Sequence, residues 1–282
     1  MHHIFIRIGF IAALLLFGVL PAARSQSQGQ AQASTATAVV PSQTALIIMH
    51  GKWGKPPAPL AERFANEGFH VESPEMPWSR ERLYDVTYED ALAAVHAVVK
   101  ELRAKGFRKI IIGGQSFGAN GALAYASVYG DVDGVFMMAP GHHPEMGRQW
   151  QAPGLIADAK ALLAKGKGDE LVDLIDYNDG NRSKAVRMPA KVYLSFYYEN
   201  SLANMSLSAS KVKRALPVLM IMGQGDYITG QGKGYIFGKL PAHPLSEYIE
   251  SDASHREVPK ASFPIIKQWI TAVPVSGASL KQ

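Results

Sequence analysis

The sequence predicts an α/β fold, an open and mostly parallel sheet flanked by helices, with a helical insertion over one end. Two observations predict it. Short, continuously apolar runs rich in β-branched residues alternate with segments carrying apolar residues at helical spacing. After Pro140 the alternation stops, and about seventy-five residues pass before an apolar strand-like run returns at Pro217.

The elements follow in order. Thr44–Met49 is apolar after its first residue, as a strand buried on both faces should be. Leu60–Gly68 reads as a short helix closed by glycine, and Phe69–Glu72 as a strand ended by Pro74 and Pro77. Tyr88–Lys105 is the clearest helix, with Ala91, Leu92, Val95, Val98, Val99 and Leu102 on one face and Gly106 as its stop. A strand from Lys109 runs into glycines, and a helix spans about Phe117–Tyr129. Gly134–Ala139 is the next buried strand.

In the insertion, about residues 141–210, helical pieces are expected at Leu155–Lys165, Glu170–Asp176 and Pro189–Tyr198, with no strand between them. Its aromatic cluster Tyr193, Phe196, Tyr197 and Tyr198 either packs between helices or lines an apolar cleft. The sheet resumes at Pro217–Met222, a last strand covers Ser246–Glu250, and Pro259–Val273 closes the domain as a helix.

Chemistry-bearing residues gather where strands end. Gly114-Gln115-Ser116-Phe117-Gly118 fits G-x-S-x-G, a serine on a sharp turn between a strand and a helix. The flanking glycines leave room for the strained turn, and the helix dipole favours negative charge at the serine. His50-Gly51-Lys52-Trp53-Gly54 ends the first strand in a glycine turn suited to aiming a backbone N–H, that of Lys52 or failing it Trp53, at a developing oxyanion. Asp226 follows one buried strand and His255 another. A serine hydroxyl needs a base such as histidine, and the histidine needs a carboxylate to fix its tautomer. Asp252 is a rival for that carboxylate, disfavoured by standing only three residues before His255. His50 suits bracing of the glycine turn, the His142-His143 pair beside Glu145 reads as an exposed loop pair, and His70, His96 and His243 read as structural.

With those residues in view, the chain from about Thr44 to Val273 resembles an α/β-hydrolase of the serine-esterase type. The resemblance rests on His50–Gly54, Gly114–Gly118, Gly223-Gln224-Gly225-Asp226 and Ser254-His255. It implies Ser116 as nucleophile, Asp226 as acid, His255 as base, and the backbone N–H groups of Phe117 and Lys52 as oxyanion hole. The family's usual two leading strands are not visible. What it implies is hydrolysis of a carboxylic ester or thioester on a small-molecule acyl substrate; a peptidase, a C–C hydrolase or a non-catalytic binding member would use the same frame.

Composition narrows the rest. The chain has no cysteine, which removes disulfides, thiolate nucleophiles and cysteine-held metals. The formal charge of +5 falls to +3 without Arg7 and Arg24, too mild and scattered for nucleic acid. No phosphate loop, dinucleotide fingerprint or metal-ligand spacing appears, so no cofactor is expected. Residues 1–25 read as a signal peptide, with an apolar run at Ile8–Leu20 and a small-x-small site at Ala23 and Ser25. That run falls short of the roughly 20 residues of a membrane span, so export to the periplasm or outside is expected without a retained anchor. Residues 26–43, rich in Gln, Ser, Ala and Thr, read as a disordered leader, and 274–282 as a tail.

Overall fold

A computed structural model describes residues 43–146, 154–178, 182–226 and 228–275. The signal-peptide and leader segments lie outside the described residues, apart from Gln43, as does most of the tail.

A six-stranded, all-parallel sheet forms the centre, in the order β2-β1-β3-β4-β7-β8. Its strands are β1 (Thr44–Met49), β2 (His70–Glu72), β3 (Lys109–Gln115), β4 (Gly134–Met138), β7 (Val218–Gln224) and β8 (Glu247–Ser254). Each central strand is apolar at successive positions because both faces are covered. In β1, Ala45, Ile47 and Met49 face one layer, while Leu46 and Ile48 face the other. The first layer is built by α2 (Tyr88–Ala104) and α3 (Phe117–Val128), the second by α1 (Pro59–Asn66) and α8 (Phe263–Ala272). Helix α2 is capped by Thr87, whose side chain accepts the Asp90 N–H.

Three expectations change. Glu170–Asp176, read as helix, belongs to strand β5 (Leu171–Asn178), which pairs antiparallel with β6 (Arg182–Pro189) as a separate hairpin. The pattern there has period two, with Val172, Leu174 and Asp176 inward and Leu171, Asp173 and Ile175 outward. A buried carboxylate at the third inward position hides that alternation from a hydrophobicity reading. The insertion is therefore helical at α4 (Leu155–Ala164), α5 (Ala190–Tyr197) and α6 (Met205–Lys211), with a hairpin between the first two. The closing helix is split into α7 (Val258–Ala261) and α8, the break falling at buried Ser262 before a second proline, Pro264.

Strand β8 also runs four residues past its expected end, to Ser254, and its register with β7 shifts between Met222 and Gln224. The shift makes Gln224 and Ser254 partners, so the segments that follow, carrying Asp226 and His255, leave the sheet side by side.

Among the described residues, no helix is long and apolar enough to cross a membrane.

Candidate active site

Ser116 stands between β3 and α3 with φ 56° and ψ −117°, a left-handed conformation costly for a residue with a Cβ. It is over-determined by its surroundings. The Ser116 N–H donates to the Met138 carbonyl at 3.0 Å, and the Ser116 carbonyl accepts from Ala119, Asn120 and Gly141. The flanking glycines are required by one neighbour: a Cβ on Gly114 would lie 2.5 Å, and one on Gly118 2.2 Å, from the Met49 carbonyl oxygen. Gly141 does similar work on the other side, where a Cβ would meet the Ser116 hydroxyl at 2.6 Å. Sequence reasoning passed over Gly141; its place directly after the β4 strand end, in Ala139-Pro140-Gly141, was the available signal.

Asp226 and His255 are joined directly. The His255 ring donates from Nδ1 to Asp226 Oδ1 at 2.6 Å. Because a carboxylate can only accept, the proton of this bond sits on Nδ1, which turns Nε2 to the other side of the ring. The other carboxylate oxygen accepts the Gly223 N–H at 2.6 Å, fixing the group to the end of β7. The Asp226 side chain is 3% exposed and that of His255 32%, a carboxylate sealed behind an imidazole that reaches solvent. Asp252 is exposed on β8 and takes no part.

Three strand steps separate β3 from β8, roughly 14 Å at the usual interstrand spacing. The loop after β8 spans that gap, since the Gln115 side-chain amide donates to the His255 carbonyl at 3.1 Å. His255 is thereby held beside the serine's chain neighbour. The Ser116 hydroxyl itself makes no hydrogen bond to the His255 ring among the described residues.

The glycine turn after β1 is braced through His50, which is buried. Its Nε2 accepts the Met76 N–H at 3.1 Å, so Nδ1 carries the proton and donates to the Gly51 carbonyl at 2.8 Å. Burial pulls the His50 pKa down and favours this neutral form. The Trp53 N–H is taken by the Trp78 carbonyl at 2.8 Å, which removes it as an oxyanion donor. No acceptor among the described residues takes the N–H of Lys52 or of Phe117.

Asp176 was not singled out from the sequence, and it ties this turn to the insertion. Its buried carboxylate accepts from Lys52 Nζ at 2.7 Å, Trp53 Nε1 at 3.0 Å, Tyr84 at 2.8 Å and Tyr197 at 2.7 Å. Burial alone would raise its pKa, but the Lys52 charge and the hydrogen bonds outweigh that and the net shift is downward. Tyr193, Phe196 and Tyr197 are buried, Phe196 and Tyr197 packing edge-on against Tyr84. The aromatic stripe is thus mainly packing, with Tyr198 at its half-buried end.

His142 and His143 are not an exposed pair. The His142 ring stacks on Phe117 at 3.8 Å and donates from Nε2 to the Phe196 carbonyl at 2.7 Å. Burial, then the nearby Lys52 charge, holds its pKa well below the usual range. Burial also draws His143 down to about 4. Among the described residues no group of three or more His, Cys, Asp or Glu could hold a metal ion. His70 pairs with Glu72 and His96 with Tyr125 and Asp131, local contacts away from Ser116.

A family profile described as alpha/beta hydrolase fold matches residues 45–255. Among solved structures, the chain is similar to a monoacylglycerol lipase from Paleococcus ferrophilus, at 20% identity over 83% of this chain and 96% of that one, with a TM-score of 0.60. A carboxyl esterase from Bacillus coagulans, solved with glycerol, superposes over 80% of this chain and 90% of its own, at 16% identity and a TM-score of 0.58. A structure reported for the metagenome-derived lipolytic enzymes LipS and LipT gives 17% identity, 83% and 95% coverage and a TM-score of 0.56. At these identities the likeness is one of fold. No curated protein matches the chain in sequence.

Proposed function

The chain belongs to the alpha/beta hydrolase fold family, and from that premise we propose that it cleaves a carboxylic ester or thioester through an acyl-serine intermediate. The observation that carries this reading is the 2.6 Å bond from His255 to Asp226, in a loop bonded to the residue before Ser116.

Ser116 Oγ attacks the substrate carbonyl while His255 Nε2 takes the hydroxyl proton, and Asp226 stabilises the resulting imidazolium. The N–H groups of Phe117 and Lys52 receive the oxyanion, at a helix N-terminus that favours negative charge. Collapse breaks the bond to the alcohol or thiol, which leaves with the proton from His255. A water, deprotonated by the same nitrogen, then attacks the acyl-serine. The acid forms, and the proton returns to Ser116. Several of the structures above are described as lipases or esterases, which supports ester chemistry over the peptidase and C–C alternatives.

Ser116→Ala should lower kcat/KM on a short p-nitrophenyl ester by several orders of magnitude while Tm changes little. Labelling by a fluorophosphonate probe should vanish with it. Equal turnover in both proteins overturns the reading of Ser116 as nucleophile, and a wild type that the probe does not label favours a non-catalytic binding protein.

A further inference from the structure

A cavity of about 570 Å³ opens beside the elbow, within the range typical of small-ligand sites. It lies at the C-terminal ends of β1, β3 and β4, with Ile48, Leu60 and Met138 among its apolar wall. One side is the glycine turn, including Gly51, whose added Cβ would lie 3.3 Å from the Ser116 Cβ. Gln115 and Arg256 complete that side, each next in the chain to a residue of the proposed triad.

The charge on its lining is all of one sign. Lys55, Arg63, Arg256 and Lys260 line it together with Lys52, and no carboxylate does. Lys52 is neutralised by Asp176, and the Arg63 guanidinium stacks on Phe263 at 3.8 Å. The outer four are exposed and come from three separate segments: the glycine turn, α1, and the chain from Arg256 through α7. Lys55, Arg63 and Lys260 form no ion pair among the described residues. A cleft lined by one sign of charge over an apolar floor concentrates ligands of the opposite sign.

We propose that this cavity receives the anionic end of the substrate, a carboxylate or phosphate carried a few carbons from the ester that reacts at Ser116. The inference deepens the hydrolase reading and rests on it for the word substrate; anion binding can be measured without turnover. Exposed cations act weakly one by one and are screened by salt, so their joint effect is read as a ratio.

The test compares kcat/KM for p-nitrophenyl butyrate and mono-(p-nitrophenyl) glutarate, in the full chain and in Lys55→Gln/Lys260→Gln. In the full chain the glutarate ester should be preferred about tenfold at low salt, with the preference shrinking in 0.5 M NaCl. The double variant should bring the ratio near one. Glutarate and propyl phosphate, added separately in a thermal-shift assay, tell a carboxylate site from a phosphate site. Whichever fits should raise Tm in the full chain and less so in the variant, whether or not Ser116 reacts. An enzyme that the fluorophosphonate probe can label, yet that in its unlabelled form uses both esters equally, overturns the substrate assignment. No Tm shift from either anion, or the same shift in the variant, overturns the site itself.

Discussion

Asp176→Asn isolates the link between the insertion and the turn that carries Lys52. The substitution keeps the shape and removes the charge. Lys52, whose side chain is 10% exposed, is left without its counter-ion. One of the two carboxylate oxygens also becomes an NH2 that can no longer accept. Tyr84 or Tyr197 can rotate its hydroxyl in response; the Trp53 indole N–H at 3.0 Å cannot. Breaking a buried pair by removing one member costs about 3–5 kcal/mol, and an orphaned donor about 1–3 kcal/mol, with overlap between the two. We expect a loss of about 4 kcal/mol, or roughly 8–16 °C in Tm for a domain of this size. Because the folded-state pKa of Asp176 is lowered, its stabilisation is present above the ordinary carboxylate range and is lost as pH falls through the lowered value. The variant should therefore lack that part of the acid-side decline below about pH 4. Differential scanning calorimetry at pH 7 and chemical denaturation across the acid range measure both effects. Adding Lys52→Met should recover a large part of the loss, because the uncompensated cation is then gone. A Tm drop under about 2 °C, or a double variant no more stable than Asp176→Asn alone, would refute the coupling.

Two further outcomes follow from the site and a third from the N-terminal sequence. Gly141→Ala would put a methyl 2.6 Å from the Ser116 hydroxyl, so kcat/KM should fall at least about tenfold with the fold retained by circular dichroism; unchanged kinetics would show that the loop yields freely. With its pKa drawn down to about 4, His143 stays neutral in the folded chain while the unfolded chain takes up a proton below about 6.5. Stability is full above that pH and declines as pH falls toward 4, by up to about 3 kcal/mol, and His143→Asn should flatten that slope in urea titrations. We also propose export: expressed with its first 25 residues in a bacterial host, the chain should lose them and leave the cytoplasm, and a cytoplasmic chain that mass spectrometry shows with Met1 intact would count against that address.

Much of the fold was legible because the central strands are buried on both faces, and such strands announce themselves as apolar runs. The order from Thr44 to Met138 matches the expected alternation within one or two residues at most ends. Ser116 was legible because a positive-φ serine flanked by close-packed backbone leaves room only for glycine at two fixed positions. The hairpin of the insertion was not legible, because Asp176 occupies an inward position that the hydrophobic pattern reads as a surface. Its burial makes sense only once Lys52, Trp53, Tyr84 and Tyr197 are known to converge on it.

By itself, then, the sequence determined the kind of sheet and the strand ends where a serine, a carboxylate and a histidine stand, since these depend on local periodicity and turn sterics. The sequence preferred Asp226 to Asp252 and Lys52 to Trp53, and the tertiary structure supplied the contacts, bonding Asp226 to His255 and giving the Trp53 N–H to the Trp78 carbonyl. Those depend on strand order and on the register shift between β7 and β8, which bring segments together across gaps that no local pattern encodes.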